Sequence, residues 1–155
     1  MPVVLARVDE RLVHGQIITS WTKQLKVDVI YIIDDNIAND PFIYQVLTLS
    51  APSGLSFEVL KVEQAAEKLR ENTKENILLL FKSVQYPLEL IEAGYPLTHL
   101  NLGNLGAGPS RKSISKNVSV SKEEIKTIEN IIETGCEVYL QMLYSEPKIN
   151  VQNVL

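Results

Sequence analysis

Two arginines, an aspartate and a histidine fall close together near the start of the chain, in the run Arg7-Val8-Asp9-Glu10-Arg11-Leu12-Val13-His14-Gly15-Gln16. These residue types at this spacing suit phosphate. Arginine grips phosphate oxygens in a bidentate fork, and the free N–H groups and positive dipole end of a helix favour an anion. A neutral imidazole is a good nucleophile toward phosphorus, and its titration range leaves much of it unprotonated near neutrality. Asp9 can orient a ring nitrogen of His14 or organise Arg7 and Arg11. A plainer reading competes. His14 is in phase with Ile17, Ile18, Trp21 and Leu25, an apolar helical stripe in which a histidine is ordinarily structural. Arg7 and Arg11 would then form surface ion pairs with Asp9 or Glu10, worth about 0–1 kcal/mol. Spacing alone leaves both readings open.

The rest of the chain offers less. The first loop lacks GxGxxG, and GxxxxGK[ST] occurs nowhere, which argues against a nucleotide-phosphate loop. Two histidines and the lone Cys136 give no metal-spaced cluster, no cofactor site and no disulfide framework. His99 sits in an apolar run and reads as a core histidine, as Trp21 reads as core; Asp34 and Asp35 read as helix caps. Gly106-Ala107-Gly108 is either an anion cradle of backbone N–H groups or a flexible loop. No acidic residue lies between Glu92 and Glu123, an interval that holds Arg111, Lys112 and Lys116. These three read as a basic rim, able to steer an acidic partner toward the first loop.

The elements that position these residues alternate. Residues 3–8 read as a strand, followed by a helix from His14. The β-branched run 27–33 is a buried strand, and Asp40-Pro41 caps a helix whose inner face is Phe42, Ile43, Val46 and Leu47. Residues 57–60, 77–81 and 97–102 are further strands. Between them lie a helix marked by Val62, Ala65, Ala66 and Leu69 and another over 87–93. The alternating stretch 114–120 predicts a sixth strand with one wet face. Ser121 and Glu124 form a capping box for a helix bearing Ile125, Ile128, Ile131 and Ile132, and 137–143 is a last strand. Strand–helix–strand repetition with right-handed crossovers predicts an α/β fold: an open, mainly parallel β-sheet of about six or seven strands with helices on both faces. Sites in such sheets lie beyond the carboxyl ends of the strands, so the loops after the first and fifth strands are the places to search.

Composition narrows the class. A chain of 155 residues, 45% hydrophobic and 22% charged, predicts a single domain over 1–155 and excludes a disordered chain. A net charge of -4 argues against nucleic acid as a partner. The longest apolar runs fall far short of the ~20 residues of a membrane span, and the first residues lack the pattern of a signal peptide. The expected location is cytoplasmic.

The motif Arg7-x-Asp9-x-Arg11-Leu12-x-His14-Gly15-Gln16 resembles the signature of the IIB subunit of the mannose/fructose/sorbose class of sugar phosphotransferase systems. Further similar residues run along nearly the whole chain: Asp34-Asp35, Leu79-Leu80 with Lys82, Leu100-Asn101-Leu102-Gly103, Arg111-Lys112-x-Ile114, Val118-Ser119-Val120-Ser121 and Gly135-Cys136-Glu137-Val138. The first motif is specific, and the others are weak alone. Many mannose-type members carry Gly-Gly-Met after the fifth strand, where this chain has Gly103-Asn104-Leu105; the Gly-Asn pair leans toward the N-acetylgalactosamine branch.

The resemblance implies a phosphohistidine carrier. His14 would accept a phosphoryl group from a IIA component and pass it to a sugar held by the membrane components IIC and IID, with Arg11 stabilising the group. Arg7, Asp9, Gly15 and Gln16 would support the loop, no metal or cofactor would be needed, and the chain would associate peripherally with the membrane transporter. Self-association into a homodimer is left open. A rival from another class is a regulatory module of the same parallel-sheet type that binds a small phosphorylated ligand without forming a bond. Such a module needs the arginines but no nucleophile, so His14 separates the two.

Overall fold

The structure, a computed structural model, describes residues 2–155. Its order is β1 (Val3–Asp9), α1 (Gln16–Gln24), β2 (Val29–Ile33), α2 (Asp35–Ala38), α3 (Pro41–Ser50), β3 (Phe57–Leu60), α4 (Val62–Glu71), β4 (Ile77–Phe81), α5 (Gln85–Glu92), β5 (His99–Asn104), β6 (Lys112–Ser113), β7 (Ser119–Val120), α6 (Lys122–Glu133), β8 (Glu137–Leu140) and β9 (Ile149–Asn150), ending in a 3-10 turn over Val151–Asn153. Seven strands form one sheet in the order β3-β2-β4-β1-β5-β8-β9, parallel apart from β9. The expected open sheet is present.

The sheet is covered on both faces because its central strands are apolar in both phases. In β4, Leu78 and Leu80 face one layer with Ile18 and Trp21 of α1, Ile37 of α2 and Leu47 of α3. Ile77, Leu79 and Phe81 face the other, with Ala65, Ala66 and Leu69 of α4, Leu90 of α5 and Ile128 and Ile131 of α6. A strand buried on both sides reads as a continuous apolar run, and each buried Leu or Ile stabilises the fold by about 1.5–3 kcal/mol. The topology also fixes where a site can form. From β1 the chain crosses to β2 on one side, and from β5 it passes to β8 on the other. Neighbours β1 and β5 thus diverge at their carboxyl ends, a topological switch point.

Several local expectations are corrected. The first helix begins at Gln16, so His14 precedes it and leaves the apolar stripe. In α3, Phe42 (69% exposed) and Val46 point to solvent with Leu49, whereas Leu47 is buried and Ile43 partly so. At 3.6 residues per turn, 42, 46 and 49 form one stripe and 43 and 47 another, and only the second meets the sheet. The strand expected over 114–120 is a short antiparallel hairpin of β6 and β7, turned where the Ile114 and Ser115 N–H groups donate to the Val118 carbonyl. His99 is no core residue. It stands at the first position of β5 with an exposed side chain, paired across the register with Glu137 at 3.5 Å. The caps behave as expected: Asp34 and Asp40 accept from the first turns of α2 and α3, Asp35 accepts from the Val62 N–H at 2.9 Å, and Ser121 and Glu124 exchange bonds at α6.

Cys136 packs in the core, and burial pushes its thiol up to about 11. Only the thiolate alkylates. Native protein at pH 8 should therefore react with iodoacetamide roughly a hundredfold more slowly than the unfolded chain. A native rate equal to the unfolded one would show that the strand β8 edge opens readily.

Candidate active site

The first loop is shaped by two backbone turns and one carboxylate. The Leu12 N–H donates to the Asp9 carbonyl at 2.9 Å and the His14 N–H to the Arg11 carbonyl at 3.0 Å. Asp9 Oδ1 accepts from the Arg11 backbone N–H at 3.0 Å, an Asx-type closure that holds the turn. Leu12 takes a positive φ of 53°, a strain accepted because Leu12 and Val13 both anchor in the core. Between those anchors and the helix, His14 is exposed. Gly15, at φ 91° and ψ 176°, then turns the chain into α1; a side chain would meet no atom there, so the need for glycine is conformational.

The start of α1 is electrostatically open. Gly15 supplies no capping side chain and the first turn holds no acidic residue, in contrast to α2, α3 and α6, which are capped by Asp34, Asp40 and Ser121. Free N–H groups and the positive dipole end therefore stand beside His14. Gln16, exposed, is the first helical residue.

Asp9 is the centre of the arrangement. Its carboxylate is almost fully buried and accepts from Arg7 Nη2 at 3.2 Å and from Arg11 Nε and Nη2 at 3.3 and 3.4 Å. Of the two roles open to it, the geometry gives the organising of both arginines. The arginines differ sharply. Arg11 is half-exposed, its contacts with Asp9 are long, and its Nη1 has no hydrogen-bond partner among the described residues. Arg7 is fully buried, and beyond Asp9 it donates to Asn101 Oδ1 at 2.6 Å and to the Gln141 and Met142 carbonyls at 3.0 and 3.1 Å. Burial lowers the Arg7 guanidinium from its ordinary range and Asp9 opposes that fall. Arg7 is therefore a buried brace that holds Asp9, and Arg11 is the cation presented to solvent.

Residues that sequence reasoning did not place in the site complete it. Trp21 Nε1 donates to the same Met142 carbonyl at 3.1 Å, its ring lies 5.1 Å below the Arg7 guanidinium, and Tyr144 packs edge-on against it at 5.5 Å. Asn101 and Gln141, both buried, join the Arg7 network from β5 and from the end of β8. A signal existed for Asn101, an amide inside an apolar strand, where only a buried polar partner satisfies it; Gln141 joins through its main-chain carbonyl, while its side-chain amide donates to the Tyr144 and Glu146 carbonyls. Met142 and Trp21 gave no such signal. Beside Met142 runs an open groove of about 300 Å³ lined by Leu102, Gly103, Lys116, Leu140 and Pro147.

Arg111 is corrected as a rim cation. It donates to Glu10 Oε1 at 2.7 Å, to both oxygens of Glu124 at 3.0 and 2.9 Å, and to the Gly106 carbonyl at 2.8 Å. These bonds raise its pKa and spend its charge in tying the first loop to the start of α6. The Gly106 carbonyl faces this arginine, which also disfavours the anion-cradle reading of that loop. Lys112 and Lys116 remain exposed. Among the described residues, no helix is long and apolar enough to cross a membrane.

Comparison with known proteins agrees with this architecture. Residues 3–155 match the family described as "PTS system sorbose subfamily IIB component". The chain is 32% identical over 157 aligned positions to the fructose-specific EIIB component of Bacillus subtilis, covering 100% of this chain and 96% of the relative. It is 29% identical to the mannose-specific EIIAB component of Escherichia coli strain K12, covering 100% of this chain and 49% of that protein, which carries both parts in one polypeptide. An N-acetylgalactosamine-specific IIB component of the same bacterium is 26% identical, with 99% and 98% covered. The crystal structure of the IIB domain of the Klebsiella pneumoniae sorbose permease superposes with a TM-score of 0.90 at 28% identity, covering 99% of this chain and 95% of that one. The relatives' names thus span several sugars and single out none. With the family matched over nearly its whole length and the fold shared with a solved IIB domain, this chain belongs to the sorbose subfamily of phosphotransferase-system IIB components.

Proposed function

We propose that His14 is a phosphoryl carrier, taking the group from a IIA phosphohistidine and passing it to a sugar presented by the membrane components IIC and IID. The observation that carries this is an exposed imidazole at the uncapped start of α1, one turn from a half-exposed Arg11. A His14 ring nitrogen attacks phosphorus in line as the donor's P–N bond breaks. The sugar hydroxyl oxygen then attacks phosphorus, the bond to His14 breaks, and the hydroxyl proton is released. The protein contributes position and charge: helix amides and Arg11 balance the phosphoryl oxygens, while Asp9, braced by Arg7, limits where Arg11 can move. Both partners present their groups on proteins, which fits a site on an exposed loop. The chain works on the cytoplasmic side, associated peripherally with the transporter, and uses no metal or cofactor. Incubation with phosphoenolpyruvate and the upstream carriers should add one acid-labile phosphoryl group by intact mass. No addition with an active donor would reject the reading.

Lys112 and Lys116 form the remaining basic rim. Reversing both to Glu should slow acceptance roughly three- to tenfold at low salt through the second-order rate, with the loss fading as salt rises, because exposed charges are screened beyond about 10 Å at 0.1 M. A salt-independent loss would place these lysines within the phosphate site instead.

A further inference from the structure

We propose that Met142 is an oxidation site that sets the mobility of Arg11, an inference that rests on the reading of His14 and Arg11 above. The Met142 sulfur lies 3.8 Å from Arg11 Nη2 and 4.0 Å from Arg7 Nη2, so one thioether touches the guanidinium of both site arginines. It is half-buried, so its side chain keeps some access to solvent and to a small oxidant, and the residue lines the open groove of about 300 Å³ beside the site. Its main chain is fixed independently, since the Met142 carbonyl is held by Arg7 and Trp21.

A thioether is a weak acceptor, so Arg11 rests against it and can leave for an incoming phosphoryl group. Oxidation changes that balance. The sulfur lone pair attacks a hydroperoxide, the O–O bond breaks, an S–O bond forms, and the peroxide leaves as water or an alcohol. Sulfur loses two electrons and the peroxide gains them. The sulfoxide oxygen is a strong polar acceptor placed among guanidinium N–H groups, and it competes with the phosphoryl group for Arg11. Rival targets are few: the sequence holds two methionines, the other being Met1, and the one thiol, Cys136, is buried and raised to about 11.

The test uses hydrogen peroxide on the full chain, with the modified position mapped by peptide mass. Phosphoryl acceptance from a phosphorylated IIA protein should fall about tenfold once Met142 carries oxygen, in line with a charge-assisted bond gained by the resting state. Methionine sulfoxide reductase should restore the rate, and Met142→Leu should keep its rate through the same treatment. The guanidinium nitrogen signals of Arg11, read by NMR, should shift on oxidation even in a chain that accepts no phosphoryl group. That separates failure of this inference from failure of the carrier reading. Full oxidation of Met142 with an unchanged rate, an equal loss in Met142→Leu, or unmoved Arg11 signals would each overturn the proposal.

Discussion

His14→Ala should accept no phosphoryl group and fold as the parent does. The side chain is exposed, and the loop around it is set by groups the substitution leaves in place: the His14 N–H on the Arg11 carbonyl, the Arg11 N–H on Asp9, and the buried anchors Leu12 and Val13. A surface change of this kind alters stability by about 0.5 kcal/mol or less. On the proposed reading, acceptance by contrast loses its nucleophile. His99 cannot substitute, because it begins β5 and therefore lies at the opposite end of the parallel strands from Asp9. The measurement is acid-labile label from a phosphorylated donor, with thermal unfolding as the control. Substantial label on His14→Ala, or label found on His99, would show that the nucleophile is misassigned.

Much of this site was legible because it is local. Arg7, Asp9, Arg11 and His14 sit on one strand end and one turn, so their spacing placed them in one stretch of the fold, where the structure joins the two arginines through Asp9. The strands β2 and β4 were equally plain, since a run such as Ile77–Phe81 is apolar in both phases and has only one place to go. What stayed hidden depends on partners far along the chain. Spacing could not distinguish a buried Arg7 from a half-exposed Arg11, because the difference arises from Asn101, Gln141 and Met142, which the register of β1, β5 and β8 brings together. Arg111 looked like a free cation for the same reason: Glu10 and Glu124, its partners, lie 101 and 13 residues away. The outward stripe of α3 was misread because Phe42 and Val46 are apolar without being buried, and periodicity alone cannot say which of two stripes meets the sheet.

The brace beneath the site should be as costly to the fold to disturb as His14 is cheap. Arg7→Met keeps the length of the side chain and removes its charge, leaving Asp9 buried with Arg11 alone and Asn101 Oδ1 without its donor. Breaking a buried pair by deleting one partner costs about 3–5 kcal/mol, which for a chain of this size lowers the unfolding midpoint by roughly 10 °C. Gly103→Ala should destabilise through the same atoms. A Cβ there would fall 2.2 Å from Arg7 Cζ, and the guanidinium cannot swing aside without giving up bonds to Asn101, Asp9 and two carbonyls. Because both changes act on one group, their costs should not add: Gly103→Ala should cost several-fold less in the Arg7→Met background than in the parent. Acceptance at His14 should fall in each single variant, since Asp9 without its brace no longer fixes Arg11. Thermal or urea unfolding of the four proteins in the cycle measures the coupling. Additive losses would mean that Gly103 and Arg7 do not contend for the same space, and an Arg7→Met variant as stable as the parent would remove the case for a buried brace.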